Sequence, residues 1–214
     1  MTSHELKCIF IHFPRTAGSS VEKFLLKTDD IYGHRESAYC DKNGNKRIIK
    51  EEHHTSSDKY IKQNGKEIWN EYFTFSFMRN PWDWFVSNFY WDIYQYEQCI
   101  KNNRPIKYRR KFIVEESNSD FKTYVKKGAQ RPDWFIFTQA KDFIGNVDFV
   151  GRFESIKEDM GKVCNNLGIE YQSLSHENKM NRKEYTEYYD DETRDIVYNL
   201  FKTDIDHFNY NFGD

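Results

Sequence analysis

An apolar run near the start, Cys8-Ile9-Phe10-Ile11-His12-Phe13, is rich in β-branched and aromatic residues and has the length of a buried strand. Pro14 ends it, Gly18 permits an unusual turn, and Ser19-Ser20 can cap a helix beginning near Val21, with Phe24 and Leu25 on its apolar face. Residues 29–55 are polar, contain Gly33 and Gly44, and read as loops with room for one short strand. A helix is predicted over 57–69 with an interruption at Gly65, then a second central strand over 72–78, where aromatic and small residues alternate. Asn80-Pro81 starts a helix, with Asn80 as N-cap, Pro81 in the first turn and Asp83 three residues after the cap. Its apolar stripe of Phe85, Phe89 and Ile93 carries it to about Tyr96. The basic stretch 101–111, with Pro105, reads as an exposed loop. A short helix over 121–127, a third strand over 147–151, and helices over 155–167 and 190–208 complete the pattern.

No repeat or linker interrupts this order, so one domain spanning 1–214 is expected. Hydrophobic residues are 38% of the chain and aromatics 18%, so large rings must carry much of the core. The net charge of −2, with both signs interspersed, argues against a nucleic-acid or anionic-membrane binder. No run approaches the roughly 20 apolar residues of a membrane span, and the polar start has no signal-peptide pattern. Cys8, Cys40, Cys99 and Cys164 are scattered without metal-ligand spacing. They read as free thiols of a cytoplasmic protein, with no metal expected.

Candidate chemistry collects at two strand-to-helix junctions. In Pro14-Arg15-Thr16-Ala17-Gly18-Ser19-Ser20, small residues let main-chain N–H groups approach an anion, the helix start adds its dipole, and Arg15 adds full charge. The Walker pattern of ordinary nucleotide triphosphatases is absent. In Phe77-Met78-Arg79-Asn80-Pro81-Trp82-Asp83-Trp84-Phe85-Val86-Ser87, Arg79 falls at the C-terminal end of a strand, where open α/β sheets bind ligands. A guanidinium there suits a phosphate. Taken alone, the second junction is equally open to a structural reading as a capped helix with Arg79 paired to a carboxylate, whereas a structural helix start at the first explains Gly18 and Ser19 better than the adjacent Arg15 and Thr16. Trp82, Trp84 and Tyr90, at helical spacing, read as core before they read as a binding wall.

The first junction resembles the 5′-phosphosulfate loop F-I-H-x-P-K-T-G-G-T-S of sulfotransferases that use 3′-phosphoadenosine-5′-phosphosulfate (PAPS). The second is similar to their 3′-phosphate motif R-N-P-x-D-R-x-V-S. The resemblance is to the carbohydrate-type branch, including heparan 2-O-sulfotransferases and bacterial relatives, and it continues through Val150-Gly151-Arg152-Phe153-Glu154 and the tail. It implies a P-loop-like three-layer α/β/α fold around a mainly parallel sheet. It also implies PAPS as co-substrate with 3′-phosphoadenosine-5′-phosphate (PAP) as product, and a hydroxyl acceptor, a carbohydrate or small metabolite. Residue by residue, Arg15, Thr16, Ala17, Gly18, Ser19 and Ser20 would hold the 5′-phosphosulfate, and Arg79 and Ser87 the 3′-phosphate. Lys179 and Arg182, beside Asn178, match a late segment that closes over the nucleotide. Two departures matter: Arg15 stands for the loop lysine, and Trp84 for the second arginine.

In-line sulfuryl transfer needs a base for the acceptor proton, and histidine titrates in the right range. His54 is the first candidate and His53 the second, because they precede the helix leading to the Arg79 strand, where the similar enzymes place a catalytic histidine. His34 is a weaker candidate, and His12, inside the first strand, reads as a satisfied core or supporting residue. Two other readings stay open: a nucleotide or small-molecule kinase, and a PAP-binding module without turnover.

Overall fold

The structure is a computed structural model that describes residues 1–27, 35–40, 44, 46–52, 54–131, 140–175 and 182–214. In chain order its elements begin β1 (Thr2–Ser3), β2 (Cys8–Ile11), α1 (Gly18–Leu26), β3 (Arg35–Cys40), β4 (Lys46–Glu51), α2 (Ser57–Asn64), α3 (Lys66–Glu71) and β5 (Phe73–Met78). They continue α4 (Pro81–Lys101), α5 (Tyr108–Lys111), a π-helical turn (Phe112–Glu116), α6 (Phe121–Gln130), α7 (Ala140–Ile144), β6 (Phe149–Arg152), α8 (Ile156–Leu167), a 3-10 turn (Tyr185–Tyr188) and α9 (Asp191–Phe208). These form two compact units, the first Met1–Arg79 with Ala140–Glu177, the second Asn80–Gln139 with Asn178–Asp214.

The first unit is an α/β layer structure. Its sheet runs β1-β2-β5-β6, with β2, β5 and β6 parallel and the two-residue β1 antiparallel at the edge. Strand alternation sends Cys8, Phe10, Phe75 and Phe77 to one face, where they meet Val21 and Leu25 of α1 and Met160, Val163 and Cys164 of α8. Phe10 stacks on Phe75 at 5.0 Å between ring centroids, and such pairs add about 0.5–1.5 kcal/mol beyond their buried area. The α/β class and mostly parallel sheet expected from the sequence are therefore present. The helix expected over 57–69 is two helices, α2 and α3, because Gly65 at φ 92° takes a conformation closed to other residues.

Residues 35–51 correct the expectation of loops: β3 and β4 form an antiparallel hairpin, Arg35 opposite Glu51 through Cys40 opposite Lys46. Charged residues fill most of β4, with Ile49 buried and Ile48 exposed, so its period of two is too faint to read in sequence.

The second unit is helical. Asn80 accepts a hydrogen bond from Trp82 N at 3.1 Å and Pro81 occupies the first turn, which starts α4 where the sequence placed it. Phe85 and Phe89 of α4 pack on Phe121 and Tyr124 of α6, and Phe85 also meets Phe201 of α9. α4 extends to Lys101, and the basic stretch 101–111 is no simple exposed loop. Fully buried Asp92 takes Arg109 Nε at 2.7 Å and Arg110 Nε at 3.4 Å, and that pairing folds α5 back onto α4. α9 begins in a capping box in which Asp190 and Thr193 satisfy each other's main-chain N–H groups.

Candidate functional site

β2 stops at Ile11 because Pro14 has no N–H for a ladder, and the chain turns into α1 through His12–Ala17. Thr16 Oγ1 donates to Phe13 O at 2.7 Å, so its hydroxyl proton ties the loop and what Thr16 offers an anion is its main-chain N–H. Arg15 and Ala17 both sit at φ 65°. A left-handed alanine costs about 1–2 kcal/mol, and positive-φ residues in such a loop turn successive N–H groups into an anion-binding hollow. Ala17 gives α1 no side-chain cap, and the first turn holds no acidic residue, so the positive end of the helix dipole is not offset locally. Arg15, Ala17 and Ser19 are partly exposed, whereas Thr16, Gly18 and Ser20 are buried.

Beneath the loop lies a histidine pair. A Cβ on Gly18 would stand 2.0 Å from both Cδ2 and Nε2 of His12, so the glycine is where the imidazole edge passes. His12 Nδ1 is 3.0 Å from Glu22 Oε1, with both side chains almost wholly buried, and the ring stacks on Phe10. His54 meets the His12 ring edge-on at 4.7 Å between centroids, and its Nδ1 lies 3.2 Å from His12 O. A carbonyl only accepts, so His54 Nδ1 carries the proton and Nε2 the lone pair. His54 is exposed, yet desolvation where its ring meets His12 lowers its pKa below the ordinary 6.5, opposed by the carbonyl hydrogen bond and the Glu22 charge. A neutral imidazole with its lone pair on Nε2 is the form a general base requires.

Arg79, at the end of β5, is 8% exposed. Its Nη1 donates to Arg15 O at 3.1 Å and its guanidinium lies 3.9 Å over the Phe153 ring. The first unit thus brings together the Arg15–Ser20 loop, His12, Glu22, His54 and Arg79. The sequence reads His12 as a satisfied core or supporting residue and does not single out Glu22 or Phe153. A glutamate beside Val21, on the side of α1 that buries Leu25, was the available signal, since a buried carboxylate needs a partner.

Ser87 and Arg182 belong to the second unit, where Ser87 is buried in α4 and Arg182 pairs with Asp83 in the first turn of that helix. Tyr90 Oη is 2.8 Å from Tyr188 Oη. Trp84, which stands where the resemblance has arginine, is buried against Phe201. The departure swaps a charge for a core ring. His53, His34, Asn178 and Lys179 lie outside the described residues. Among the described residues, no group of three or more His, Cys, Asp and Glu is placed to hold a metal, and no helix is long and apolar enough to cross a membrane.

Comparison with known proteins gives three findings. A family model described as the sulfotransferase family matches residues 1–211. A protein of Archaeoglobus fulgidus, described as uncharacterized, is 29% identical over 113 residues, covering 49% of this chain and 75% of that protein. No solved structure matches significantly.

Proposed function

Because the chain belongs to the sulfotransferase family, we propose that it moves a sulfuryl group from PAPS to a hydroxyl of a carbohydrate or small metabolite, with His54 as base. PAPS supplies the activated sulfuryl group. The chain supplies charge and position: Arg15 and the N–H groups from Thr16 to Ser20 face the 5′-phosphosulfate, and Arg79 is assigned to the 3′-phosphate. As the acceptor oxygen bonds to sulfur, its proton passes to His54 Nε2, and the bond from sulfur to the phosphate oxygen breaks with its electron pair left on that oxygen. Charge gathering there is met by Arg15 and the loop amides, which are fixed before reaction.

One observation carries the reading. The guanidinium of the second motif is hydrogen-bonded to the loop of the first, Arg79 Nη1 to Arg15 O, so two motifs 64 residues apart share one locality. The roles of Ser87, Arg182, Lys179 and the second histidine, His53, are retained from the resemblance alone. One family model spanning both units supports reading them as a single sulfotransferase domain, and the same match leaves the kinase alternative without support. A cytoplasmic location accords with the free thiols of Cys8, Cys99 and Cys164.

The test is calorimetric titration with PAP, 5′-AMP and ATP, followed by transfer of label from radioactive PAPS to a panel of hydroxyl acceptors. PAP is expected to bind at least about tenfold more tightly than 5′-AMP, since an added charge-assisted contact is worth about 1.5–3 kcal/mol. Equal binding of PAP and 5′-AMP, or magnesium-dependent ATP binding in place of PAP, would refute the proposal.

A further inference from the structure

The Glu22–His12 pair is unused by the chemistry above, yet it is one of the most deeply buried polar contacts of the first unit. His12 is 4% exposed and Glu22 2%. Enclosing a carboxylate so completely is costly unless it serves a partner. Its partner is the ring that props the first residue of α1 at Gly18 and forms the wall on which His54 rests.

We propose that Glu22, acting through His12, is a positioning residue for the base: it fixes the His12 ring and main chain that orient His54, and its charge stabilises the imidazolium formed when His54 takes the acceptor proton. The inference rests on the reading of His54 as base. Two links support it. His54 Nδ1–H is held by His12 O, so the placement of His12 sets which nitrogen faces outward. His54 is exposed to solvent, but its ring meets the enclosed His12–Glu22 pair, and a carboxylate acting from that water-poor side counts for more than one wholly in solvent.

Among the described residues, charged and titratable groups face His54 from three places. From the loop after β2 comes His12, from α1 Glu22, and from the chain start the ammonium of Met1, whose like charge opposes protonation and which is itself held by Phe10 O at 2.8 Å. On the segment of His54 itself, Glu52 is paired with Lys59 at 2.6 Å. Among the described residues, Glu22 is a carboxylate whose charge favours the protonated His54.

The experiment uses the full chain. The His54 ring is titrated by histidine NMR in wild type, Glu22→Gln and Glu22→Asp, and the pH dependence of kcat/KM for sulfuryl transfer is measured beside it. Glutamine still accepts from His12 Nδ1 but removes the charge, so the His54 midpoint is expected to fall by about half a pH unit or more. The acid limb of kcat/KM should move by the same amount. Aspartate keeps the charge and should hold the midpoint near wild type, which also serves if the glutamine variant does not fold. A midpoint that stays put in Glu22→Gln, or falls as far in Glu22→Asp, overturns the positioning pair, while loss of turnover in His54→Ala would leave the base reading standing. A midpoint that moves while the kinetic limb does not overturns the base reading itself, and the catalytic role of the pair with it.

Discussion

Replacing Gly18 by alanine sets two physical effects in opposition, and their sum has a definite sign. At the start of α1 the exchange gains helix preference, about 0.5–1 kcal/mol in favour of alanine. Against it stands the His12 ring, with Cδ2 and Nε2 at 2.0 Å and Cγ at 2.5 Å from the new methyl carbon. Real contacts at that position need well over 3 Å, so the ring or the helix must move by an ångström or more. The ring cannot swing aside cheaply, being stacked on Phe10, bounded by His54 and bound to Glu22. Overpacking of this kind costs about 1–3 kcal/mol, and displacing the buried Glu22 contact adds about 1–3 kcal/mol. The net expectation is a loss of about 1–5 kcal/mol, which for a chain of this length lowers Tm by roughly 2–20 °C.

Differential scanning calorimetry on four proteins measures this: wild type, Gly18→Ala, His12→Ala and the double variant. With the ring gone, the methyl group has room, so Gly18→Ala in the His12→Ala background should be neutral or stabilising. The coupling between the two sites should then reach about 2 kcal/mol or more, above the few tenths shown by independent positions. A Gly18→Ala protein as stable as wild type, or a double variant in which the two losses simply add, would show that the histidine does not lie against the loop.

Three further outcomes are expected. Ala17→Gly, at φ 65°, relieves about 1–2 kcal/mol of left-handed strain while giving back about 0.4–1 kcal/mol of chain entropy, so urea unfolding should show a gain near 0.5 kcal/mol. Arg79→Lys keeps the charge but loses the flat fork over Phe153 and the reach to Arg15 O, so calorimetry should show PAP affinity falling about tenfold or more. Since desolvation against His12 lowers the pKa of His54 from 6.5, the unfolded chain binds the extra proton first as pH falls. Stability should therefore decline as pH drops below 6.5 toward the folded value, and His54→Gln should flatten that decline in urea titrations at stepped pH.

What the sequence disclosed follows the range of the forces involved. The β2-to-α1 junction and the start of α4 were legible because proline, glycine and a capping asparagine act on their immediate neighbours, and an apolar run such as Cys8–Ile11 fits a strand without reference to the rest of the chain. The β3–β4 hairpin escaped because charged residues fill most of β4, whose alternation therefore carries little hydrophobic contrast. The extent of α4 escaped for a related reason: it continues to Lys101, and Asp92 binding Arg109 and Arg110 across a turn brings basic residues inward that composition alone assigns to solvent. Glu22 was hidden most completely. Its partner stands ten residues earlier, at the end of a strand whose side-chain directions are fixed only once β2 pairs with β5.

The loop also explains how a strained turn survives in a chain that has put alanine where the resembling motif has glycine. Arg15 and Ala17 are both left-handed, and together they cost about 2–4 kcal/mol on the general scale, too much for a free loop to hold. Four features oppose that cost: the Thr16 hydroxyl on Phe13 O, the Ser20 and Val21 N–H groups on Ala17 O, the Arg79 guanidinium on Arg15 O, and the His12 ring filling the space at Gly18. Each net hydrogen bond returns about 0.5–1.5 kcal/mol, so the set is sufficient and no single member is. Loss of Arg79 should therefore both weaken nucleotide binding and loosen the loop that presents Arg15. Ala17→Gly introduced into Arg79→Lys should then recover loop stability without recovering affinity, because glycine relieves the strain but supplies no charge. Recovery of both would mean that Arg79 acts only by shaping the loop and makes no contact with the nucleotide.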